Sequence, residues 1–290
     1  MIKYYLLSTE HLENGLWFRD DDDYRVAMNY IAIQAAVNQR VSVLAFILMS
    51  NHVHFLLKGE WNDVKAFIDK FKARFSKYLR IKYGDKEYLR YNGVDIKEIP
   101  SKDEALEKTI AYIHMNCVAA NICSSPNQYQ WGTGDLFFNT KHPKGTLVKD
   151  ISARACNRTT HSRTNCIPNH WILSDEGYIL PQSYVDIKTV EDIYHTPKRM
   201  NYFNINSSKA RKRFEACNDN LPAFRDHTIL NALPDLCRTM FQKDRFNELS
   251  PEERTECLRQ LRFRFSSDIN QLARVCGLSY AEAANCLDSV

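Results

Sequence analysis

The sequence has no long apolar run and no leader-like start. No stretch approaches the roughly 20 consecutive apolar residues that a membrane-spanning helix needs, which predicts a protein without membrane segments. The opening Met-Ile-Lys-Tyr-Tyr-Leu-Leu-Ser lacks a basic segment followed by an apolar core and a cleavage site, so it does not resemble a signal peptide. We therefore expect a cytoplasmic protein. We also expect it to be globular, because 290 residues with 44% hydrophobic content can bury a substantial core.

Paired cysteines are also lacking. The nine cysteines are an odd number, contain no Cys-x-x-Cys pair and are scattered along the chain. Reduced thiols of a cytosolic protein are the favoured interpretation, rather than a disulfide framework. A structural zinc site built from distant Cys and His residues is the alternative, although the usual ligand spacing is missing.

A strong overall charge is lacking as well, since the net charge is only +4. Residues 1–140 carry 17 Lys and Arg against 17 Asp and Glu, whereas residues 141–232 carry 14 against 9. The basic excess therefore lies in the middle of the chain. A locally basic face can attract a polyanion even when the whole domain is nearly neutral.

Hydrophobic periodicity predicts the order strand, helix, strand hairpin, helix, helix in the first half of the chain. The predicted elements are a strand at 3–8, a helix at 24–38 capped by Asp22 or Asp23, strands at 41–48 and 52–57 joined by Met49-Ser50-Asn51, a helix from Trp61 to Tyr83 ended by Gly84, and a helix at 102–116 with a Ser101/Glu104 capping box. We interpret the acidic run Asp20–Asp23 as a solvated helix start. This order is typical of an α+β domain whose helices pack on an antiparallel sheet.

The strand at 52–57 contains the first candidate for chemistry. Alternate side chains of a strand point the same way, so His52 and His54 share one face and can share one metal ion. A histidine pair that simply lies on a solvated strand face would give the same pattern. His-x-His alone does not decide between the two.

The helix at 102–116 contains the second candidate. Tyr112 and Asn116 stand four residues apart, which places a phenol and an amide on one helical face. A tyrosine on an amphipathic helix is usually a packing residue. The pair becomes informative only if this helix lies against the histidine strand.

Both motifs resemble those of a known enzyme family. The segment 48–57, Leu-Met-Ser-Asn-His-Val-His-Phe-Leu-Leu, resembles the histidine strand of the single-tyrosine HUH transposases. The segment 111–120, Ala-Tyr-Ile-His-Met-Asn-Cys-Val-Ala-Ala, is similar to their tyrosine helix, and Tyr129-Gln130-Trp131 matches a Tyr-x-Trp segment of the REP-associated tyrosine transposase branch. The resemblance covers about residues 1–135.

The resemblance implies a fold, a site and a reaction. It implies a ferredoxin-like or RRM-like antiparallel sheet with packed helices, in which His52, His54 and Asn116 bind a divalent metal, Mg²⁺ or Mn²⁺, and Tyr112 is the nucleophile. Single-stranded or hairpin DNA would be cut through a covalent 5′-phosphotyrosine intermediate and could be rejoined. We then expect a catalytic domain at 1–135, an irregular basic accessory segment at 136–221 and a mostly helical C-terminal accessory region at 222–290.

The chain departs from the family pattern at four positions. Ser50 and Cys117 stand where prolines are usual, and Ala119 and Asn121 stand where Arg and Gly are common. None of these changes removes a group that the implied reaction needs. Cys117 is a packing residue in this interpretation and not a thiol nucleophile.

Two basic stretches are candidates for DNA contacts. The helix from Trp61 to Tyr83 has a polar face rich in Lys and Arg, for which a solvated outer face is the alternative. Its predicted DNA-binding residues are Lys65, Lys70, Lys72, Arg74, Lys77 and Arg80. Lys198-Arg199 and the basic residues at 209–213 form a second candidate surface.

The C-terminal segment 268–288 resembles a helix-turn-helix, with Ser279 and Glu282 as a capping box. Its second helix has no Lys or Arg, which argues against major-groove docking and favours a helical hairpin that packs on the catalytic domain.

Two functional alternatives stay open. One is a domesticated relative that binds DNA or regulates a promoter without cutting, and the other is a metal hydrolase of small substrates. Monomer and homodimer are both compatible with the sequence.

Overall fold

The computed structural model of the chain describes residues 1–10, 16–84, 88–140, 144–163, 166–208, 224, 226–265, 267 and 269–288. These residues belong to two compact units. The first contains residues up to 116, other than 12–15, together with 125–207, and the second contains 117–124 and the chain after 207. In the described part of the chain, no helix is long and apolar enough to cross a membrane.

A four-stranded antiparallel sheet forms the centre of the first unit. Its strands are β1 (Lys3–Thr9), β2 (Ser42–Met49), β3 (His52–Gly59) and β4 (Val94–Ile99). Their order in the sheet is β2-β3-β1-β4, and all neighbours are antiparallel. With helices after β1 and β3, this is the ferredoxin-like arrangement, so the predicted fold class is confirmed.

The β2–β3 hairpin follows the prediction. Met49 pairs with His52, which leaves Ser50 and Asn51 as the turn. The carbonyl oxygen of Ser50 accepts hydrogen bonds from the backbone N–H groups of Trp17 (2.8 Å) and Phe18 (3.2 Å). The turn that leads into the histidine strand is thus fixed by a segment from outside the hairpin.

Two helices, α1 (Asp21–Val37) and α2 (Trp61–Tyr83), pack together in one layer on the sheet. Phe55 of β3 contacts two rings of α2, with centroids 6.1 Å from Phe67 and 5.6 Å from Phe71. Gly84 ends α2 in the left-handed conformation (φ 73°), as predicted, and this conformation suits a residue without a Cβ.

The acidic run at the start of α1 is only partly solvated, which corrects the prediction. Asp20 caps the helix by accepting from the backbone N–H of Asp23, whereas Asp23 itself is fully buried. The Asp23 carboxylate accepts hydrogen bonds from the hydroxyls of Tyr78 (3.0 Å) and Tyr83 (3.0 Å) and pairs with the Lys82 ammonium (2.9 Å). The C-terminal end of α2 therefore supplies the partners that permit this burial.

A further helix of the first unit, α4 (Ala105–His114), contacts β2 and β3; it is preceded by the short α3 (Tyr88–Tyr91) and followed by the short α5 (Asn116–Ala119). The predicted Ser101/Glu104 capping box is wrong. Asp103 and Glu104 both have positive φ (60° and 59°) and form a turn, so α4 begins only after them and Glu104 makes no side-chain cap.

The segment 129–133 covers the outer edge of β2. The backbone N–H of Leu48 donates to the carbonyl oxygen of Trp131 (2.9 Å), and the carbonyl oxygen of Leu48 accepts from the Tyr129 hydroxyl (2.6 Å). The backbone N–H of Phe46 donates to the Thr133 hydroxyl, and the carbonyl oxygen of Phe46 accepts from the backbone N–H and the hydroxyl of Thr133. This segment satisfies an otherwise open strand edge. It contains the Tyr-x-Trp residues Tyr129 and Trp131.

The remaining part of the first unit is less regular. It contains a two-stranded ladder of β5 (Thr146–Leu147) and β6 (Ile172–Leu173), and three helices. These helices are α6 (Ala153–Thr159), α7 (Ile187–Tyr194) and α8 (Pro197–Ile205). Of them, α7 and α8 contact α4.

The second unit is helical in its described part after residue 224. Its helices are α9 (Asp226–Phe241), α10 (Pro251–Phe265), α11 (Ile269–Cys276) and α12 (Tyr280–Asp288). Their apolar residues form a common core. The predicted capping box is confirmed, because Ser279 and Glu282 each accept from the other's backbone N–H. The eight cysteines of the described residues are free thiols.

We expect Asp23→Ala to lower the free energy of unfolding by about 3 kcal/mol, because it removes a fully buried carboxylate and leaves the Lys82 ammonium and the Tyr78 and Tyr83 hydroxyls with fewer partners. Chemical denaturation monitored by circular dichroism measures this change. Asp22→Ala is the matched control: its side chain is 69% exposed and pairs with Arg25, so we expect a loss below about 1 kcal/mol. Equal effects of the two substitutions would contradict the assignment.

Candidate metal and tyrosine site

Strand β3 places the two predicted histidines side by side. The ring centroids of His52 and His54 are 4.8 Å apart, with the ring planes at 85°. Both side chains are buried, at 6% and 3% exposure. The alternative of a solvated strand face therefore does not describe these two side chains.

A neighbouring polar group holds each imidazole at Nδ1. His52 Nδ1 lies 2.8 Å from the amide oxygen of Asn51, and His54 Nδ1 lies 2.8 Å from the hydroxyl of Ser8 on β1. An amide oxygen only accepts, so Nδ1 of His52 carries the proton and its lone pair is on Nε2. Such partners at the non-ligating nitrogen typically orient histidines that bind metals.

The predicted nucleophile lies beside this pair. Helix α4 brings the Tyr112 ring against His54, with centroids 5.4 Å apart and planes at 76°. Tyr112 is partly buried, and burial raises the pKa of its phenol. The hydroxyl is therefore neutral near pH 7 in the protein as folded.

Asn116 is anchored to the same helix. Its amide nitrogen donates to the carbonyl oxygens of Tyr112 (2.8 Å) and Ile113 (3.3 Å), and its side chain is buried. Because the nitrogen is used by the backbone at the end of α4, the amide oxygen is the end that can serve as a ligand. The spacing of four residues thus lets the Asn116 side chain bind the backbone carbonyl of Tyr112.

The two oriented imidazoles of His52 and His54 could hold a divalent cation. The described residues contain no cluster of three or more His, Cys, Asp or Glu side chains that could hold a metal. The predicted ligands are of another kind, two imidazoles and one amide oxygen, and the two histidines are already oriented by their Nδ1 partners. Three protein ligands leave coordination positions open for water and phosphate. An amide oxygen and water suit Mg²⁺ or Mn²⁺, whereas imidazole nitrogens also suit other transition metals.

Sequence reasoning missed the groups that position the site. Ser8 could be found only from the β1–β3 register, in which it pairs with His54. His114 was not singled out either: its Nε2 lies 3.1 Å from the hydroxyl of Thr133, and burial lowers the pKa of its imidazole to about 3. It is neutral near pH 7 and ties α4 to the segment that covers β2.

The basic helix α2 lies on the other face of the sheet. Phe55, which contacts α2, has the opposite strand parity to His52 and His54, and the tyrosine helix is on the histidine side. The predicted DNA-binding residues of α2 therefore do not surround Tyr112.

One of these predictions needs a correction, because Lys72 is buried. Its ammonium donates to the carbonyl oxygen of Asn92, and burial lowers its pKa. Lys65, Lys70, Lys77 and Arg80 are exposed as predicted, with Lys65 paired to Asp69, and Arg74 is partly buried. In the second basic stretch Arg199 pairs with Glu104 and Glu107, and residues 209–213 lie outside the described residues.

Comparisons of the chain with protein family models, curated proteins and solved structures find no match.

We expect Lys72→Glu to lower the free energy of unfolding by more than about 3 kcal/mol, because it buries a carboxylate against a carbonyl oxygen. Lys65→Glu on the exposed face of the same helix is the control, with an expected change below about 1 kcal/mol. Thermal and chemical denaturation measure both. A Lys72→Glu protein as stable as the parent would show that this side chain faces solvent.

Proposed function

We propose that the chain is a divalent-metal-dependent endonuclease and strand transferase that cuts single-stranded, hairpin-bearing DNA through Tyr112. The observation that carries this proposal is the contact between the Tyr112 and His54 rings, with the second histidine on the same sheet face. Two motifs separated by 58 positions in the sequence meet at one place, as a strand-transfer centre requires.

The proposed metal ligands are His52 and His54, through Nε2, and the amide oxygen of Asn116. When bound there, a divalent cation supplies Lewis-acid stabilisation of the charge that builds on the phosphate oxygens. Asn51 and Ser8 hold the imidazoles by Nδ1, so the ligands are oriented before DNA arrives.

The chemical step belongs to Tyr112. Its oxygen attacks the scissile phosphorus and loses its proton to water, while the bond to the 3′ oxygen breaks and that oxygen leaves as a hydroxyl after taking up a proton. The 5′ phosphate stays on the tyrosine. A phenolate leaves more readily than an alkoxide, so an incoming 3′ hydroxyl can reverse the step and join strands without an external energy source.

The main test uses a library of hairpin-bearing single strands with randomised flanks and Mn²⁺. Strands labelled at the 3′ end should yield labelled protein, whereas strands labelled at the 5′ end should release a fragment with an extendable 3′ hydroxyl. Tyr112→Phe should abolish both products, and Tyr91→Phe, at a tyrosine that is 79% exposed, should abolish neither.

An adduct formed equally by Tyr112→Phe would show that another residue is the nucleophile. Tight DNA binding without any adduct, unchanged by chelation of the metal, would instead support the non-cleaving DNA-binding alternative. Metal-dependent hydrolysis of small esters without DNA would support the hydrolase alternative.

A second prediction separates the metal site from the nucleophile. We expect Ser8→Ala and Asn51→Ala to weaken Mn²⁺ binding about 10–100-fold, because each removes the group that orients a ligand, and His54→Ala to weaken it further. Electron paramagnetic resonance of free Mn²⁺ measures this without DNA. Ser42→Ala on β2 is the control, and unchanged affinity in both positioning variants would refute the assigned ligand orientation.

A further inference from the structure

A large open groove lies between α1, α2 and the segment 159–163, all within the first unit. Its volume is 1280 Å³. Its walls include Tyr30 of α1, Arg74 and Lys77 of α2, and His161 and Arg163 of the facing segment. We call it the α1–α2 groove.

The wall opposite α2 is held in place by a buried amide. Asn29 of α1 donates to the carbonyl oxygens of Gly177 (3.0 Å) and Thr159 (3.4 Å) and accepts from the backbone N–H of Ile179 (2.9 Å). Arg74 crosses to the same wall, where its guanidinium donates to the Ser162 hydroxyl (3.0 Å). The groove is therefore built by the fold and does not depend on a ligand for its shape.

The charge in the groove is positive. Arg25 and Lys82 also line it, but they are paired with Asp22 and with Asp20 and Asp23. Lys77 and Arg163 are exposed and have no ion-pair partner among the residues that the structure describes, and Arg74 has a hydroxyl as its partner. Two carboxylates also line the groove: Asp22, which pairs with Arg25, and Glu176.

The groove is distinct from the tyrosine site. It is formed by the α1–α2 layer, which packs on the sheet face opposite to His52, His54 and Tyr112. Its two tyrosines offer little surface for base stacking, because Tyr30 and Tyr78 are only 5% and 9% exposed, and the imidazole of His161 is the exposed ring of the lining. A groove whose exposed charges are cations and whose tyrosines are buried suits phosphate groups better than bases.

We propose that the α1–α2 groove binds the phosphate backbone of DNA outside the cleavage site, independently of sequence, through Arg74, Lys77 and Arg163. The nature of this ligand rests on the proposed function. The DNA held in the groove belongs to the substrate that Tyr112 cuts, so a single molecule must extend past the sheet. A stem of about 12 base pairs, at about 3.4 Å per pair, reaches roughly 40 Å.

The test measures binding of a hairpin with a 12-base-pair stem to Tyr112→Phe protein in a chelator, so that neither cleavage nor metal contributes. Each phosphate contact contributes about −0.9 to the slope of log affinity against log salt and is worth about tenfold in affinity at 50 mM salt. Lys77→Gln combined with Arg163→Gln should therefore reduce the slope by about two and weaken binding about 100-fold. Both side chains are exposed, so folding should be preserved, which circular dichroism verifies.

Lys188→Gln is the matched control, since it removes one exposed positive charge on α7, outside the groove. It should leave the slope nearly unchanged. The proposal is overturned if the double variant retains the parent's affinity and slope, or if Lys188→Gln lowers the slope by as much per charge. Stronger retention of RNA than of DNA by the parent would also overturn it, in favour of an RNA ligand.

The two proposals fail separately. In protein with Tyr112 intact and DNA below the parent's Kd, the groove variant should form less adduct than the parent, because it binds the substrate more weakly. If the double variant shows the reduced salt slope but the parent forms no adduct, the groove proposal is supported and the nuclease proposal is wrong.

Discussion

The two-residue alternation of strand β3 is the constraint on which the arrangement of the first unit depends. Phe55 points to α2 and packs on Phe67 and Phe71, so the neighbouring positions His52 and His54 must point to the opposite face. A register slip of one residue would exchange the faces and bury two imidazoles under the aromatic rings of α2. Burial of Phe55 therefore contributes to the placement of the histidines.

The position of α4 depends on a second set of contacts, made on the histidine side. His114 reaches Thr133, and Thr133 binds the backbone of Phe46 on β2, so the helix is connected to the same hairpin that carries the histidines. Tyr112 and His114 are two residues apart on α4 and hence on different sides of the helix. His114, which anchors the helix, and Tyr112, the proposed nucleophile, therefore do not compete for the same space.

The sequence predicted the features that depend on local periodicity. The hairpin, the span of α2 with Gly84 at its end, and the Ser279/Glu282 box all follow from spacing of a few residues. The burial of Asp23 and Lys72 does not, because their partners Tyr78 and Asn92 are 55 and 20 residues away. The late start of α4 was also missed, since positive φ at Asp103 and Glu104 has no glycine to signal it. For the site, the motifs indicated four side chains, but only the fold shows that Ser8 holds one of them.

Burial of Tyr112 has two effects of opposite sign on the proposed reaction. Removing the phenol from water raises its pKa, so phenolate is disfavoured when nothing positive is near. The same partial exclusion of water strengthens the attraction between a developing phenolate and a cation held by the histidines beside it. Near neutral pH the nucleophile would therefore stay protonated until cation and phosphate are both in place. Under the proposed function, a partly buried tyrosine beside oriented imidazoles would make cutting conditional on assembly of the complete complex, whereas an exposed tyrosine would lack the second effect.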